Sequence, residues 1–177
     1  MQKHNKTKYT AMVASSIDGR IAKDSRSFAT WTSKEDWHFF QDFLSKTDAV
    51  IVGHNTYRVA KERLDKRNTI VFSSKYNKIK EVGSVTFLNP VKVNFKEFVQ
   101  QKGFKKIAIL GGPKVYNYFL ENKMLNELFV TIEPIIFTNG VPMFQGDKFK
   151  KYELNLISVK KLNQKGTLLL KYKNNAN

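Results

Sequence analysis

The chain has 177 residues, is 41% hydrophobic and 13% aromatic, carries a formal net charge of +16 and contains no cysteine. That length accommodates one domain with a sizeable core, the apolar content excludes a disordered chain, and the missing cysteines exclude disulfides and thiolate zinc sites. No apolar run approaches the ~20 residues needed to cross a bilayer. The opening MQKHNKTKYT lacks the apolar segment of a secretory signal, so a cytoplasmic protein with no membrane partner is expected. The charge invites a nucleic-acid reading, but the lysines are scattered over almost every segment. No finger spacing or ribonucleoprotein signature accompanies them. A solvated basic surface is the expectation, and such a field also favours a polyanionic small molecule.

Residues 1–8 read as a polar leader and 9–173 as the domain. Residues 9–16 read as a strand ending in small residues, and 17–22 turn at Asp18-Gly19. A polar loop over 23–30 delivers the chain to Trp31. Read at about 100° per residue, positions 33–45 form an amphipathic helix. Trp37, Phe39, Phe40, Phe43 and Leu44 fill one arc, and Lys34, Glu35, His38, Gln41 and Asp42 fill the other. Asp36 falls in the middle of the apolar arc. A carboxylate there is either satisfied by a partner or held for a ligand. Thr32 with Glu35 makes a capping box that leaves Asp36 pointing into the core; Ser33 with Asp36 could make the same box.

Residues 48–53 (DAVIVG) are a nearly continuous apolar run, as in a central strand covered on both faces. A short helix opens at Asn55 or Thr56 and runs to about Arg63. Strands follow at 68–74 and 84–88, separated by a lysine-rich loop, then a helix over 95–101 ended by Gly103. KIAIL (106–110) is another buried strand, and Gly111-Gly112 leads into a helix with Pro113 at its first position. ELFVTIE (127–133) is a strand, 134–144 is irregular, and strands at 152–160 and 167–173 form a hairpin around Asn163–Gly166. The pattern gives an α/β domain with a mixed, mostly parallel eight-stranded sheet, an antiparallel C-terminal hairpin and about four helices.

Two strand-to-helix junctions, Gly53-His54-Asn55-Thr56 and Gly111-Gly112-Pro113, offer backbone N–H groups and the positive end of a helix dipole to phosphate. Together they suggest an extended polyphosphate ligand. Neither a G-x-G-x-x-G fingerprint nor a Walker motif is present. His4, His38 and His54 are not spaced with carboxylates as metal ligands, so no metal is expected. Ser15-Ser16 and Ser73-Ser74 lack a neighbouring base. A buried acid beside a bound nucleotide cofactor is what remains.

At these residues the chain resembles dihydrofolate reductase and its superfamily, which includes the pyrimidine reductases of riboflavin synthesis. Trp31 stands five residues before Asp36, and E-D-W-H-F-F is similar to the family's E-D-L-K-F-F. Gly53-His54-Asn55-Thr56 resembles G-R-x-T, with Arg67 eleven residues past Thr56 where the family holds the folate glutamate. Ser73-Ser74 resemble the serines at the cofactor 2′-phosphate, Gly111–Tyr116 resembles G-G-x-x-[VI]-Y, and Thr131 the threonine beside the acid. His54 departs from the family's arginine, and Ser33-Lys34 from its Leu-Pro. Residues 17–22, Trp31-Thr32-Ser33 and 140–144 look more like the riboflavin branch, which typically lacks an acid at position 36.

The resemblance implies a single-domain, three-layer αβα dihydrofolate-reductase-like fold and NADPH as cofactor. The implied cofactor residues are Ala14, Ile21, Gly53, His54, Asn55, Thr56, Ser73, Ser74, Leu110, Gly111, Gly112, Pro113, Lys114, Val115 and Tyr116. Dihydrofolate would lie against Met12, Val13, Trp37, Phe40 and Leu64, with Arg67 on its carboxylate. Asp36, Trp31 and Thr131 would be catalytic, Asp36 assisting protonation at N5 as hydride reaches C6. The alternative is the 5-amino-6-(5-phosphoribosylamino)uracil reductase of riboflavin synthesis. A second alternative is a basic, non-enzymatic nucleic-acid-binding domain. The implied enzyme is a monomer or homodimer with a small-molecule substrate and no nucleic-acid partner.

Overall fold

Continuous apolar runs can only be central strands if both faces of their sheet are covered, and they are. The computed structural model describes residues 6–27 and 29–175; His4 and most of the predicted leader lie outside them. In chain order the elements are β1 (Lys8–Ser15), β2 (Arg20–Ala22), α1 (Lys34–Ser45), β3 (Ala49–Gly53), α2 (His54–Leu64), β4 (Thr69–Phe72), β5 (Lys80–Val82) and β6 (Val85–Leu88). They continue with α3 (Phe95–Gln101), β7 (Lys106–Ile109), α4 (Pro113–Glu121), β8 (Glu127–Ile132), β9 (Val141–Pro142), β10 (Leu154–Lys161) and β11 (Leu168–Asn174). The main sheet has the order β10-β11-β8-β1-β7-β3-β4-β6-β5.

Six strands, β8 through β6, run parallel, and β11 and β5 turn antiparallel at the two ends. Alternation along β3 splits the core. Ala49 and Ile51 face the α3–α4 layer with Val99 and Phe119, whereas Val50 and Val52 face the α1–α2 layer with Leu44, Tyr57 and Leu64. The result is the three-layer αβα arrangement, and it brings the carboxyl ends of β1, β3, β4, β7 and β8 to one edge, where open α/β sheets bind ligands.

Among the described residues the sheet has nine strands rather than the expected eight. The addition is β5, an exposed edge strand paired with β6 through its backbone; its lysine-rich sequence carries no apolar alternation to announce it. A small second sheet pairs β2 with β9, joining a stretch that reads as a turn to one that reads as irregular. β1 begins at Lys8, and Thr7 Oγ1 donates to the Phe104 carbonyl at 2.9 Å, so the last leader residues pack with the domain. α2 starts at His54, a little earlier than expected, and departs from helical backbone at Ala60. Among the described residues no helix is long and apolar enough to cross a membrane.

Candidate active site

A cleft of about 1150 Å³ runs across the strand carboxyl ends, between the α1–α2 layer and the start of α4. That exceeds the space one drug-sized ligand needs, so the cleft has room for two ligands end to end. Asp36 is at its floor, buried near the start of α1. Thr131 lies opposite on β8, on the sheet face that α1 covers, since Phe129 two residues earlier packs against Phe39 and Phe43. Burial pushes the Asp36 carboxyl above its ordinary range. A hydrogen bond from Thr131 opposes this, the Glu133 charge adds to it, and a hydrogen bond from Thr32 opposes it again.

The helix start differs from the expected register. The N-cap of α1 is Ser33, whose Oγ accepts from the Asp36 backbone N–H at 3.3 Å, rather than Thr32 with Glu35. Asp36 therefore occupies the capping-box position, where its carboxylate would normally reach back to the Ser33 N–H. It does not, because that N–H donates to Glu133 Oε1 at 2.7 Å. The second Glu133 oxygen accepts from buried Thr167 at 2.6 Å. Residue-by-residue reading missed Glu133. Its signal is the alternation Phe129, Thr131, Glu133, which continues the α1-facing side of β8 into a buried acid.

Around this floor, Met12, Val13, Trp37, Phe40 and Leu64 form an apolar wall. The rim beyond is cationic: Arg63, Lys66 and Arg67 line the same cleft. Arg63 stacks on Trp37, 4.9 Å from the ring centroid, and Arg67 Nη1 donates to the Leu44 carbonyl at 3.3 Å. That carbonyl belongs to the C-terminal turn of α1, the negative end of the helix dipole, which suits a guanidinium. Trp31 is placed apart from these residues: it packs edge-on against Phe137 at 5.0 Å and does not line the cleft.

The other half of the cleft is built from backbone. Gly53 and Gly112 are the N-caps of α2 and α4, and neither helix has a side-chain cap. The Gly53 N–H donates to the Gly111 carbonyl at 2.8 Å, locking the two junctions side by side. Gly111 has φ +96°, and a Cβ on it would stand 2.9 Å from the Tyr116 ring. It lies behind the wall, whereas Gly112 lines the cleft with only Thr56 Oγ1 near its missing Cβ, at 3.9 Å. Tyr116 is buried, and its hydroxyl donates to the Met12 carbonyl at 2.7 Å, so its contribution is to the wall.

Ala14, Ile21, Asn55, Ser73, Ser74, Leu110, Pro113, Lys114 and Val115 also line this half. His54 Nδ1 is buried there without a protein partner. Burial first, then the charges of Lys75 and Arg58, hold its imidazole below the ordinary value. An orphaned nitrogen beside two cations at an uncapped helix start is suited to a phosphate, and two such junctions are suited to a dinucleotide. NADPH therefore fits these residues. Among the described residues no group of three or more His, Asp and Glu side chains could hold a metal ion.

Residues 8–169 match the sequence model of dihydrofolate reductase. The chain belongs to the dihydrofolate reductase family. The uncharacterized protein YwjB of Bacillus subtilis (strain 168) is 28% identical over 140 residues, covering 75% of this chain and 79% of that one. A pyrimidine reductase-like protein from Corynebacterium diphtheriae superposes with a TM-score of 0.76 at 19% identity, over 96% of this chain and 92% of its own. The Enterococcus faecalis dihydrofolate reductase complexed with NADP(H) superposes with a TM-score of 0.65 at 21% identity, over 95% and 96%. At these identities the two solved structures share the family fold with this chain.

Proposed function

We propose that the chain is an NADPH-dependent reductase whose substrate presents a pyrimidine edge to Asp36 and an anionic group to the Arg63, Lys66 and Arg67 rim. The observation that carries this reading is a buried carboxyl with hydroxyl neighbours at the floor of a cleft whose other half is suited to a dinucleotide. NADPH supplies a hydride when bound. Gly53, Gly112, His54 and the serines after β4 would hold its phosphates, and Met12, Val13 and Leu110 would exclude water beside the reacting carbon. Asp36 would accept from a ring N–H or amino group, or give its own proton to a ring nitrogen, while Thr131 fixes the orientation of the carboxyl.

The pyrimidine ribosyl phosphate of riboflavin synthesis comes first among candidate substrates. The pyrimidine reductase-like structure superposes better than the folate enzyme, and a three-cation rim suits a phosphate. Dihydrofolate is the second reading, supported by Asp36 itself, since a carboxylate beside a threonine hydroxyl matches a 2-aminopyrimidine edge, and by Arg67 for a carboxylate tail. The deciding experiment follows NADPH oxidation by the purified protein with each substrate in turn, with Asp36→Asn as control. Turnover of the phosphate substrate alone supports the first reading, and turnover of dihydrofolate alone supports the second. NADPH binding without turnover of either would overturn both.

A further inference from the structure

Among the described residues, Glu133 is the one buried acid beside the cleft floor that the proposed reaction does not use. It follows directly on β8, and its backbone N–H donates to the Ser15 carbonyl at 2.9 Å, so it sits at the same strand ends that build the cleft. One carboxylate oxygen takes the Ser33 N–H and the other the Thr167 hydroxyl. Thr167 in turn accepts from Asn163 Nδ2 at 2.9 Å, and the same amide donates to Glu35 Oε2 at 3.1 Å. The β10–β11 turn, the end of β8 and the first turn of α1 are thus tied together through one carboxylate.

The consequence falls on Asp36. At the third position of a helix capped by serine, an acid normally turns back onto the N-cap N–H, which neutralises an orphan donor but points the carboxylate away from any ligand. Here that donor is already taken, at 2.7 Å, by an acid from a different element. Asp36 is released toward Thr131 and Thr32 and the cleft. We propose that Glu133 is a positioning residue for Asp36: it occupies the capping contact Asp36 would otherwise make and stands behind it as a second negative charge.

Glu133 acts through another side chain and lies outside the cleft lining. The charged groups around the pair are Glu133 itself from the end of β8, and Glu35 on α1, which is reached through Asn163 and has Lys34 and His38 beside it. Thr131 and Thr32 hydrogen-bond to the Asp36 carboxyl and favour its charged form, and the Glu133 charge is the neighbour that favours a protonated Asp36. This inference builds on the proposed role of Asp36 as the ligand-facing acid.

The test compares the wild type with Glu133→Gln and Glu133→Leu. Gln keeps an acceptor for Ser33 and loses the charge; Leu loses both. The Asp36 side-chain carboxyl is titrated by carbon NMR in the free protein, so the readout needs no substrate. In Glu133→Gln the midpoint falls by roughly half a pH unit or more, on the scale of losing a nearby like charge. The Ser33 amide stays protected from exchange in the Gln variant and also in the Leu variant, where Asp36 turns back onto it and its midpoint falls further than in the Gln variant. Where turnover is measurable, the pH profile of kcat/KM moves with the Asp36 midpoint. An unmoved midpoint in the Gln variant, or a Leu-variant midpoint no lower than that of the Gln variant, overturns the proposal. Absence of turnover with both substrates counts against the reductase reading instead, and the free-protein titration still decides the role of Glu133.

Discussion

Replacing Asp36 by Asn makes activity and stability move in opposite directions, which a merely structural acid would not do. Asn is nearly isosteric and keeps the backbone N–H bond to Ser33 Oγ. It cannot carry the charge or release the proton. Losing one charge-assisted hydrogen bond to a ligand costs about 1.5–3 kcal/mol, or roughly ten- to hundredfold in kcat/KM. If Asp36 also transfers a proton, a further ~10²–10⁴ is lost. For stability the sign comes from the raised folded value. Asp36 binds its proton more tightly in the folded protein than in the unfolded chain, where its value is the ordinary 3.8. Its favourable contribution is therefore complete below that unfolded value and is lost as pH rises through the folded one. Above it the buried charge works against the fold. Asp36→Asn accordingly melts no lower than the wild type at neutral pH, and the difference narrows in acid. The assays are steady-state kcat/KM from NADPH oxidation and thermal unfolding followed by circular dichroism at neutral and acid pH. Wild-type kcat/KM, or a neutral-pH melting point several degrees below wild type, would refute the reasoning.

Three further outcomes separate the two halves of the cleft. Arg67→Ala raises KM roughly ten- to hundredfold with kcat little changed, because a rim cation binds ground and transition states alike; Lys restores only part of this, lacking the planar fork. A fall in kcat at constant KM would count against the rim assignment. Gly111→Ala destabilises the fold by about 2 kcal/mol or more, since a positive φ and the Tyr116 ring both oppose a Cβ. Gly112→Ala leaves the melting point near wild type and instead weakens NADPH in a fluorescence titration; equal melting losses in the two would refute the distinction. A phosphate beside His54 raises an imidazole now held down by burial, Lys75 and Arg58. NADPH affinity then falls as pH rises through the raised value, by roughly tenfold for a one-unit change, and His54→Ala flattens this dependence. An unchanged pH profile in that variant removes His54 from the phosphate site.

The sequence by itself determined those features whose physics is local. Unbroken apolar runs dictate strands buried on both faces, so β3, β4 and β7 were legible, as were the paired glycine junctions that follow β3 and β7. Helical periodicity was enough to place Asp36 on the inner face of α1 and to make it the residue of interest. Tertiary structure decided what depends on neighbours far along the chain. β5 exists because β6 offers a backbone edge, whatever its own side chains. Trp31 turned to Phe137 rather than to the cleft, which no spacing rule could fix. The capping register was likewise settled from outside. Thr32-Glu35 and Ser33-Asp36 are locally equivalent boxes, and an acid a hundred residues away, Glu133, took the Ser33 N–H and left Asp36 to the cleft. A periodic pattern can show which face a carboxylate is on, but which hydrogen bonds remain open to it is decided only when the strands that carry its competitors have folded beside it.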